Sequence, residues 1–182
     1  MRVSDTALRE VKIIEPAVFE DSRGFFMESW NARTFAAAGI EAVFVQDNHS
    51  RSAKGVLRGL HYQIRFAQGK LVRVAAGAVF DVAVDLRTSS PTFGRWVGVE
   101  LSSENRRQLW IPPGFAHGFL SLRNGTELLY KCTNFYSLDN ERCLLWNDTS
   151  VGIAWPLEGI GEPILSGKDT AGKVLAHAET FS

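Results

Sequence analysis

Histidine is the side chain that most readily moves protons near neutral pH, and this chain has four. His49 closes the segment 45–49 (VQDNH), His61 lies within an apolar run, and His117 follows Ile-Pro-Pro-Gly-Phe-Ala. Three separate segments could therefore bring a histidine to one cavity, although an isolated strand histidine can also be purely structural. His177 lies in the tail, and we assign it no role.

Three histidines on strands also raise the question of a metal site. Zinc and iron patterns usually place ligands as close pairs, but the residue two positions after His61 is Gln63. The two cysteines, Cys132 and Cys143, are too few for a disulfide framework or a cysteine zinc site. We expect them to be small packing residues in a reducing compartment, and we expect no bound metal.

The segment 55–63 (GVLRGLHYQ) is the densest in potential chemistry. Arg58 and His61 are three residues apart, so a regular strand would place them on opposite faces. A β-bulge at Gly59 would add one residue to the strand and bring both side chains to the same face. An unbroken ladder through Gly59 would rule out a shared site.

Alternation along two other strands assigns further polar residues to a face. Tyr130 shares its face with Leu128 and Cys132, and Lys70 shares its face with Val72. Lys70 is therefore a candidate interior lysine, which is costly without a partner or a substrate. The alternative is that Lys70 lies at the strand end and extends to water.

Near the C-terminus, the segment 165–169 (LSGKD) places an acid in a loop or at the start of a helix. Asp169 could be an ordinary surface residue. If it reached His61, it would fix the tautomer of that ring and raise its basicity.

The elements that must hold these residues are mostly strands, because sixteen glycines and six prolines separate short runs rich in Val, Phe, Leu and Trp. An Asn cap, three alanines and a glycine predict a short helix at 31–39, and the tail has room for a minor C-terminal helix. We expect an all-β sandwich or barrel forming one domain over residues 1–182. The predicted strands are 11–19, 24–30, 42–49, 56–63, 70–75, 78–86, 96–101, 108–111, 116–122 and 127–135.

Composition excludes several classes of protein. Twenty Lys and Arg balance twenty Asp and Glu in 182 residues, which argues against a general nucleic-acid binder. The most apolar stretch, 75–84, is too short for the ~20 residues that cross a bilayer, and residues 1–12 lack the apolar core of a signal peptide. We therefore expect a cytoplasmic protein with no membrane partner.

Eleven segments, in order and at appropriate spacing, resemble the dTDP-4-dehydrorhamnose 3,5-epimerase family. The resemblance covers nearly the whole chain, from about residue 10 to residue 170. The segments are 23–26 (RGFF), 46–50 (QDNHS), 56–61 (VLRGLH), 68–72 (QGKLV), 79–85 (VFDVAVD), 90–94 (SPTFG), 111–119 (IPPGFAHGF), 129–131 (LYK), 146–148 (WND), 152–156 (GIAWP) and 165–169 (LSGKD).

This resemblance implies a cupin-type double-stranded β-helix jelly roll and a homodimer that exchanges N-terminal strands. It also implies inversion of C3 and C5 beside the ketone of dTDP-4-dehydro-6-deoxy-D-glucose, in dTDP-L-rhamnose biosynthesis. The family works with no redox cofactor and no metal, and Gln63 in place of the second histidine of a cupin HxH pair agrees with that.

Carried over by motif, His61 is the base, Asp169 its orienting partner, Tyr130 the acid and Lys70 the cation beside the enolate. The ordinary pKa of a phenol is near 10, so we expect a cation to assist Tyr130, with Lys70 the obvious one. Arg58 and His117 resemble further substrate or oxyanion contacts.

The residues that match the nucleotide pocket of the family have types suited to a diphosphate and a base. We expect Arg23 on the diphosphate, with Gln46 and Asn48 as polar contacts. Around the thymine we expect Phe25, Glu28 and Tyr136.

The chain departs from the family pattern at 64–67 (IRFA) and at Phe135, a position often held by Tyr. These changes leave open which nucleotide is bound and whether one or both carbons are inverted. The alternatives are a single-site epimerase of another deoxysugar, a non-catalytic cupin-like binder of carbohydrate or nucleotide, and a metal-dependent cupin.

Overall fold

The structure is a computed structural model that describes residues 1–182. It has thirteen strands, two short α-helices and two 3-10 turns, and none of its helices is long and apolar enough to cross a membrane. The helices are α1 (Ala32–Ala37) and α2 (Gly167–Thr170), and the 3-10 turns are Leu138–Asn140 and Leu175–His177. The strands are β1 (Arg2–Asp5), β2 (Lys12–Glu15), β3 (Val18–Asp21), β4 (Gly24–Met27), β5 (Gln46–Ser52), β6 (Leu57–Gln63), β7 (Lys70–Ala76), β8 (Ala78–Asp85), β9 (Trp96–Ser102), β10 (Gln108–Ile111), β11 (Phe115–Ser121), β12 (Thr126–Cys132) and β13 (Glu141–Cys143).

The strands form two large antiparallel sheets and a separate hairpin. One sheet has the order β1-β2-β10-β7-β12-β5 and the other has the order β13-β6-β11-β8-β9. Strands β3 and β4 pair only with each other. Non-consecutive neighbours in both large sheets are typical of Greek-key connections, which build a jelly roll.

The main core lies between the two large sheets, because residues from the inner faces of both form one buried cluster. Val72 and Leu128 come from the first sheet, and Val79 and Phe119 come from the second. Alternation along each strand places these side chains inward. The sequence-based prediction of an all-β jelly roll is confirmed.

Each large sheet is also covered on its outer face. The C-terminal part of the chain supplies Leu144 and Val151, which pack against Leu60 and Tyr62 of β6. On the other sheet, Phe35 of α1 packs with Ile14 and Trp110. Both large sheets therefore have buried apolar side chains packed on their outer faces as well as on their inner faces.

The two predicted helices are present and begin with side-chain caps. Asn31 accepts hydrogen bonds from the backbone N–H groups of Arg33 and Thr34, and Gly39 follows α1 with φ +81°. In α2, Ser166 and Asp169 form a capping box, in which each side chain bonds the backbone N–H of the other residue.

The predicted β-bulge is also present in β6. Its register with β11 pairs His61 with His117 and Arg58 with Phe119, so three steps on β6 match two on β11. Because His117 and Phe119 both point into the interior, Arg58 and His61 do so as well. Gly59 supplies the extra residue and has φ +124°.

Several predicted strand boundaries were wrong. The strand expected at 11–19 is two strands interrupted at Pro16, which has no backbone N–H to donate to a ladder. Residues 42–45 lie outside β5, and there Phe44 instead packs edge-on against Trp30 and Trp110. The short strands β1 and β13 were not predicted, since neither shows a clear apolar alternation.

We predict that Gly59→Ala destabilises the fold by about 2–4 kcal/mol. A Cβ here would lie 2.6 Å from the Cα of Gly118 and 2.8 Å from the carbonyl oxygen of His117, in addition to the strain of the positive φ. Urea unfolding measures this loss. Gly159→Ala is the matched control, because its φ is also positive at +70° but nothing lies within 4 Å. It should cost only about 1 kcal/mol, and an equal loss in both variants would contradict the steric account.

Candidate active site

A cavity of about 450 Å³ opens between the two large sheets and collects most of the predicted site residues. All four predicted catalytic residues line it: His61, Lys70, Tyr130 and Asp169. Five of the predicted substrate contacts also line it: Gln46, Asn48, Arg58, His117 and Tyr136. The residues predicted from strand alternation, from the bulge and from the family motifs therefore line the same cavity.

The His61–Asp169 contact joins β6 to the C-terminal segment. Nε2 of His61 lies 2.9 Å from Oδ1 of Asp169. The approach is angled away from the ideal hydrogen-bond direction, as catalytic contacts often are before substrate binds. A carboxylate beside Nε2 favours the tautomer that carries its proton there, which leaves Nδ1 as the basic nitrogen.

Asp169 is itself held by the bulge and by the helix cap. The backbone N–H of Gly59 donates to Oδ1 at 2.9 Å, and the hydroxyl of Ser166 donates to Oδ2 at 2.6 Å. Burial acts to raise the pKa of Asp169, but the contact with His61 and the hydrogen bonds from Ser166 and Gly59 together bring it below the usual range. The alternative that Asp169 is an ordinary surface residue is wrong, because its side chain is only 3% exposed.

Lys70 is an interior lysine, as the alternation of β7 predicted. It is 8% exposed, and its ammonium group forms neither an ion pair nor a hydrogen bond with another residue of the chain. Burial lowers the pKa of Lys70, opposed by nearby Cys132, Asp81 and Glu141. The alternative of a lysine that extends to water is therefore wrong. A buried cation that faces a cavity is suited to an anion that enters it.

Tyr130 reaches the cavity from β12, in the sheet opposite His61. Burial and Cys132 raise the pKa of Tyr130 to about 12, and Arg58 acts in the opposite direction. Two cations lie near this phenol: Lys70 Nζ is 6.0 Å from the ring centroid, as expected of a neighbouring cation, and the charge of Arg58 opposes the rise in the pKa. The phenol therefore stays protonated at neutral pH.

His117 has a buried partner that the sequence analysis missed. Its Nε2 lies 3.0 Å from both carboxylate oxygens of Asp81 on β8, which is fully buried. Burial lowers the pKa of His117, against the influence of Asp81. Asp81 stands inside the apolar run 75–84, where a carboxylate needs a polar partner, and that requirement was the available signal.

Further polar groups that line the cavity are connected to one another by hydrogen bonds. The amide of Gln46 donates to Asn48 at 3.0 Å and accepts from the backbone N–H of Tyr136 at 2.9 Å. The hydroxyl of Tyr136 donates to Glu141 at 2.8 Å, and Lys168 forms an ion pair with the same carboxylate at 2.5 Å. Sequence analysis missed Glu141 and Lys168, because neither stands out in its segment.

Three predicted nucleotide contacts lie outside the cavity of their own chain. Arg23 and Phe25 are exposed on the β3–β4 hairpin, where Arg23 pairs with Asp21 at 2.6 Å. Glu28 follows the hairpin and accepts a hydrogen bond from Asn31 at 2.9 Å. Within one chain, Arg23, Phe25 and Glu28 therefore do not lie with the nine predicted site residues that line the cavity.

The fold and the cavity together define a cupin-type enzyme of acid–base chemistry. A histidine–carboxylate pair faces a protonated phenol, and an unpaired ammonium group lies in the same cavity. This set can remove a proton, stabilise the anion that results and return a proton.

Comparison with known proteins identifies the family. A family model described as dTDP-4-dehydrorhamnose 3,5-epimerase matches residues 5–177, and the chain belongs to this family of isomerases, as its motifs predicted. The dTDP-4-dehydrorhamnose 3,5-epimerase of Pseudomonas aeruginosa is 59% identical over 182 residues, which cover 100% of this chain and 99% of that protein.

Solved structures agree with this assignment. The dTDP-6-deoxy-D-glucose-3,5-epimerase of Legionella pneumophila, crystallised with dTDP-4-keto-L-rhamnose, has a TM-score of 0.94 and 52% identity, covering 98% of this chain and 94% of that one. A 3′-monoepimerase from Streptomyces bikiniensis, crystallised with dTDP-quinovose, is less similar, with a TM-score of 0.88 and 34% identity over 94% and 87% of the two chains.

We predict that Lys70→Met raises the free energy of unfolding at pH 7 by about 1–2 kcal/mol, since it replaces a buried unpaired cation with an apolar side chain of similar length. Because the pKa of Lys70 is lowered in the folded state, its charged ammonium group destabilises the fold fully at pH values below that pKa. This destabilisation disappears as the pH rises toward 10.5, the ordinary pKa of a lysine. The gain from the substitution should shrink over the same range. Urea unfolding at several pH values measures it, and a loss of stability at pH 7 would contradict the assignment.

Proposed function

We propose that this chain inverts C3 and C5 of dTDP-4-dehydro-6-deoxy-D-glucose to give dTDP-4-dehydro-L-rhamnose, in dTDP-L-rhamnose biosynthesis. Family membership supports the substrate class. The single observation that carries the chemistry is the placement of His61 and Tyr130 on facing sheets across one cavity. Inversion requires a proton to leave one face of a carbon and another to arrive on the opposite face, so the two groups must flank the sugar.

In the first step, His61 removes the hydrogen beside the 4-keto group. The C–H bonding electrons form a carbon–carbon double bond, and the carbonyl electrons move to the oxygen as an enolate. Asp169 keeps the imidazole in the receptive tautomer and stabilises its protonated form. Lys70 supplies a positive charge near the developing oxyanion, and burial makes that charge effective.

In the second step, Tyr130 donates its proton to the opposite face of the same carbon. The raised pKa of Tyr130 keeps the donor loaded at neutral pH, and Arg58 provides positive charge as the phenolate forms. His61 then loses its proton to solvent and Tyr130 regains one, so the enzyme returns to its starting state. The same steps act at C3 and at C5, which both flank the ketone.

The remaining cavity residues fit a nucleoside diphosphate. Arg58 and Lys168 are cations that line the same cavity, and both types bind phosphate oxygens. Gln46 and Asn48 offer amide groups, while Tyr136 is half exposed and can stack on a base. A cytoplasmic location agrees with two free cysteines and a soluble nucleotide-sugar substrate.

We further propose that residues 1–182 form one domain that works as a homodimer with exchanged N-terminal strands. The β3–β4 hairpin pairs with no other strand and exposes Phe19, Phe25 and Phe26, which are 65%, 55% and 70% exposed. Such an apolar surface is typical of an interface. An exchanged hairpin would carry Arg23 and Phe25, followed by Glu28, into the partner's cavity.

We predict that the wild-type chain, incubated with dTDP-4-dehydro-6-deoxy-D-glucose in deuterated water, incorporates deuterium at both C3 and C5. NMR and mass spectrometry locate the isotope. Exchange at one carbon only would indicate a single-site epimerase. Tight binding of the nucleotide sugar with no exchange at either carbon would indicate a non-catalytic binder.

We predict that mixing His61→Asn chains with Phe25→Ala chains restores activity that neither homodimer has alone. In a hybrid dimer, the chain with intact His61 receives the intact hairpin of the other chain. Random mixing makes about half the dimers hybrid, each with one complete site, so about a quarter of wild-type activity should return. No recovery, with dimers verified by sedimentation, would show that Phe25 does not act in the partner's cavity.

A further inference from the structure

The thiol of Cys143 lies beside the His61–Asp169 pair. Cys143 on β13 is the cross-strand partner of His61 on β6. One ligand atom from each of His61, Cys143 and Asp169 lies within 4.8 Å of the other two. The proposed reaction uses the imidazole and the carboxylate but gives Cys143 no part.

We propose that these three side chains form an inhibitory site for a thiophilic divalent cation such as Zn²⁺. Thiolate, imidazole and carboxylate are the donors that zinc takes in proteins. With metal–ligand distances of about 2.0–2.3 Å and tetrahedral angles, the ligand atoms should lie about 3.4–3.6 Å apart. His61 Nε2 and Asp169 Oδ1, now 2.9 Å apart, must separate slightly, and all three ligand atoms already lie within 4.8 Å of one another, so rotation of the His61 and Cys143 side chains can reach that geometry, with water as the fourth ligand.

The surroundings favour a cation at this position. Asp169 is ionised and fixed by Ser166 and Gly59, so one ligand is already in place. Glu141 adds a second nearby carboxylate, partly offset by Lys168. His61 is 27% exposed and lines the cavity, which gives an ion a route from solvent.

Cation binding changes one covalent bond at the thiol. Burial and the nearby carboxylates of Asp169 and Glu141 raise the pKa of Cys143 to about 12, so the sulfur carries its proton in the free protein. On binding, the S–H bond breaks, a sulfur–metal bond forms, and the proton leaves to solvent. No electron is transferred, and a chelator reverses the step.

Binding would remove both members of the proposed base from use, because the cation occupies a ring nitrogen of His61 and an oxygen of Asp169. This inhibition rests on the proposed function, whereas binding of the cation does not. The two are therefore tested separately.

Cobalt(II) serves as a spectroscopic probe for the site. Titration of the reduced wild-type chain with Co²⁺ should give one equivalent of binding, visible bands typical of tetrahedral cobalt and a near-ultraviolet thiolate-to-cobalt charge-transfer band. Cys143→Ser and Cys143→Ala should lose the charge-transfer band. Cys132→Ser, which changes the only other cysteine, should retain it. Absence of the band in the wild type, or its loss only in Cys132→Ser, would overturn the site.

The second measurement is deuterium exchange in the presence of Zn²⁺. Cys143→Ala should exchange at the wild-type rate without Zn²⁺, and its half-inhibiting Zn²⁺ concentration should rise by about 10–100-fold. Equal sensitivity in the two proteins would overturn the inhibitory role of the thiol. If cobalt binds through Cys143 but Zn²⁺ leaves exchange unchanged, the inhibitory role fails together with the assignment of His61 as base.

Discussion

The Asp169 carboxylate ties together the parts of the chain on which the site depends. One oxygen faces the imidazole of His61 and the backbone N–H of Gly59, and the other accepts from Ser166. A helix cap, a strand bulge and a proton-transfer group are thereby fixed to each other. Because the folded-state pKa of Asp169 is lowered, this network contributes stability at neutral pH and loses that contribution as the pH falls below its ordinary value near 3.8.

The two sheets give the site its two sides. One sheet presents His61 and His117, the other presents Lys70 and Tyr130, and the outer faces of both are packed against further chain. Preorganisation of this kind avoids the cost of arranging charges during the reaction. Three of the twenty Lys and Arg residues, Arg58, Lys70 and Lys168, line this cavity together with two carboxylates, so a chain of zero net charge still presents positive side chains there.

Sequence patterns predicted the inner parts of the site better than its outer parts. The three-residue spacing of Arg58 and His61 around a glycine predicted the bulge, and alternation predicted that Lys70 and Tyr130 share the interior. These rules are local. The Asp81–His117 pair and the Glu141–Lys168 pair join residues 36 and 27 positions apart, and nothing within either segment specifies its partner. Contacts across the proposed dimer interface are harder still to predict from sequence, because they join residues of two chains.

The central claim is that His61 and Tyr130 act on opposite faces of the same carbon. The most direct test follows the stereochemistry of exchange in deuterated water with Tyr130→Phe and with His61→Asn. The account predicts that Tyr130→Phe exchanges hydrogen at C3 and C5 with retention, because His61 can only return a proton to the face it came from, and that His61→Asn exchanges neither. Inversion at the wild-type rate in Tyr130→Phe, or exchange in His61→Asn, would contradict it.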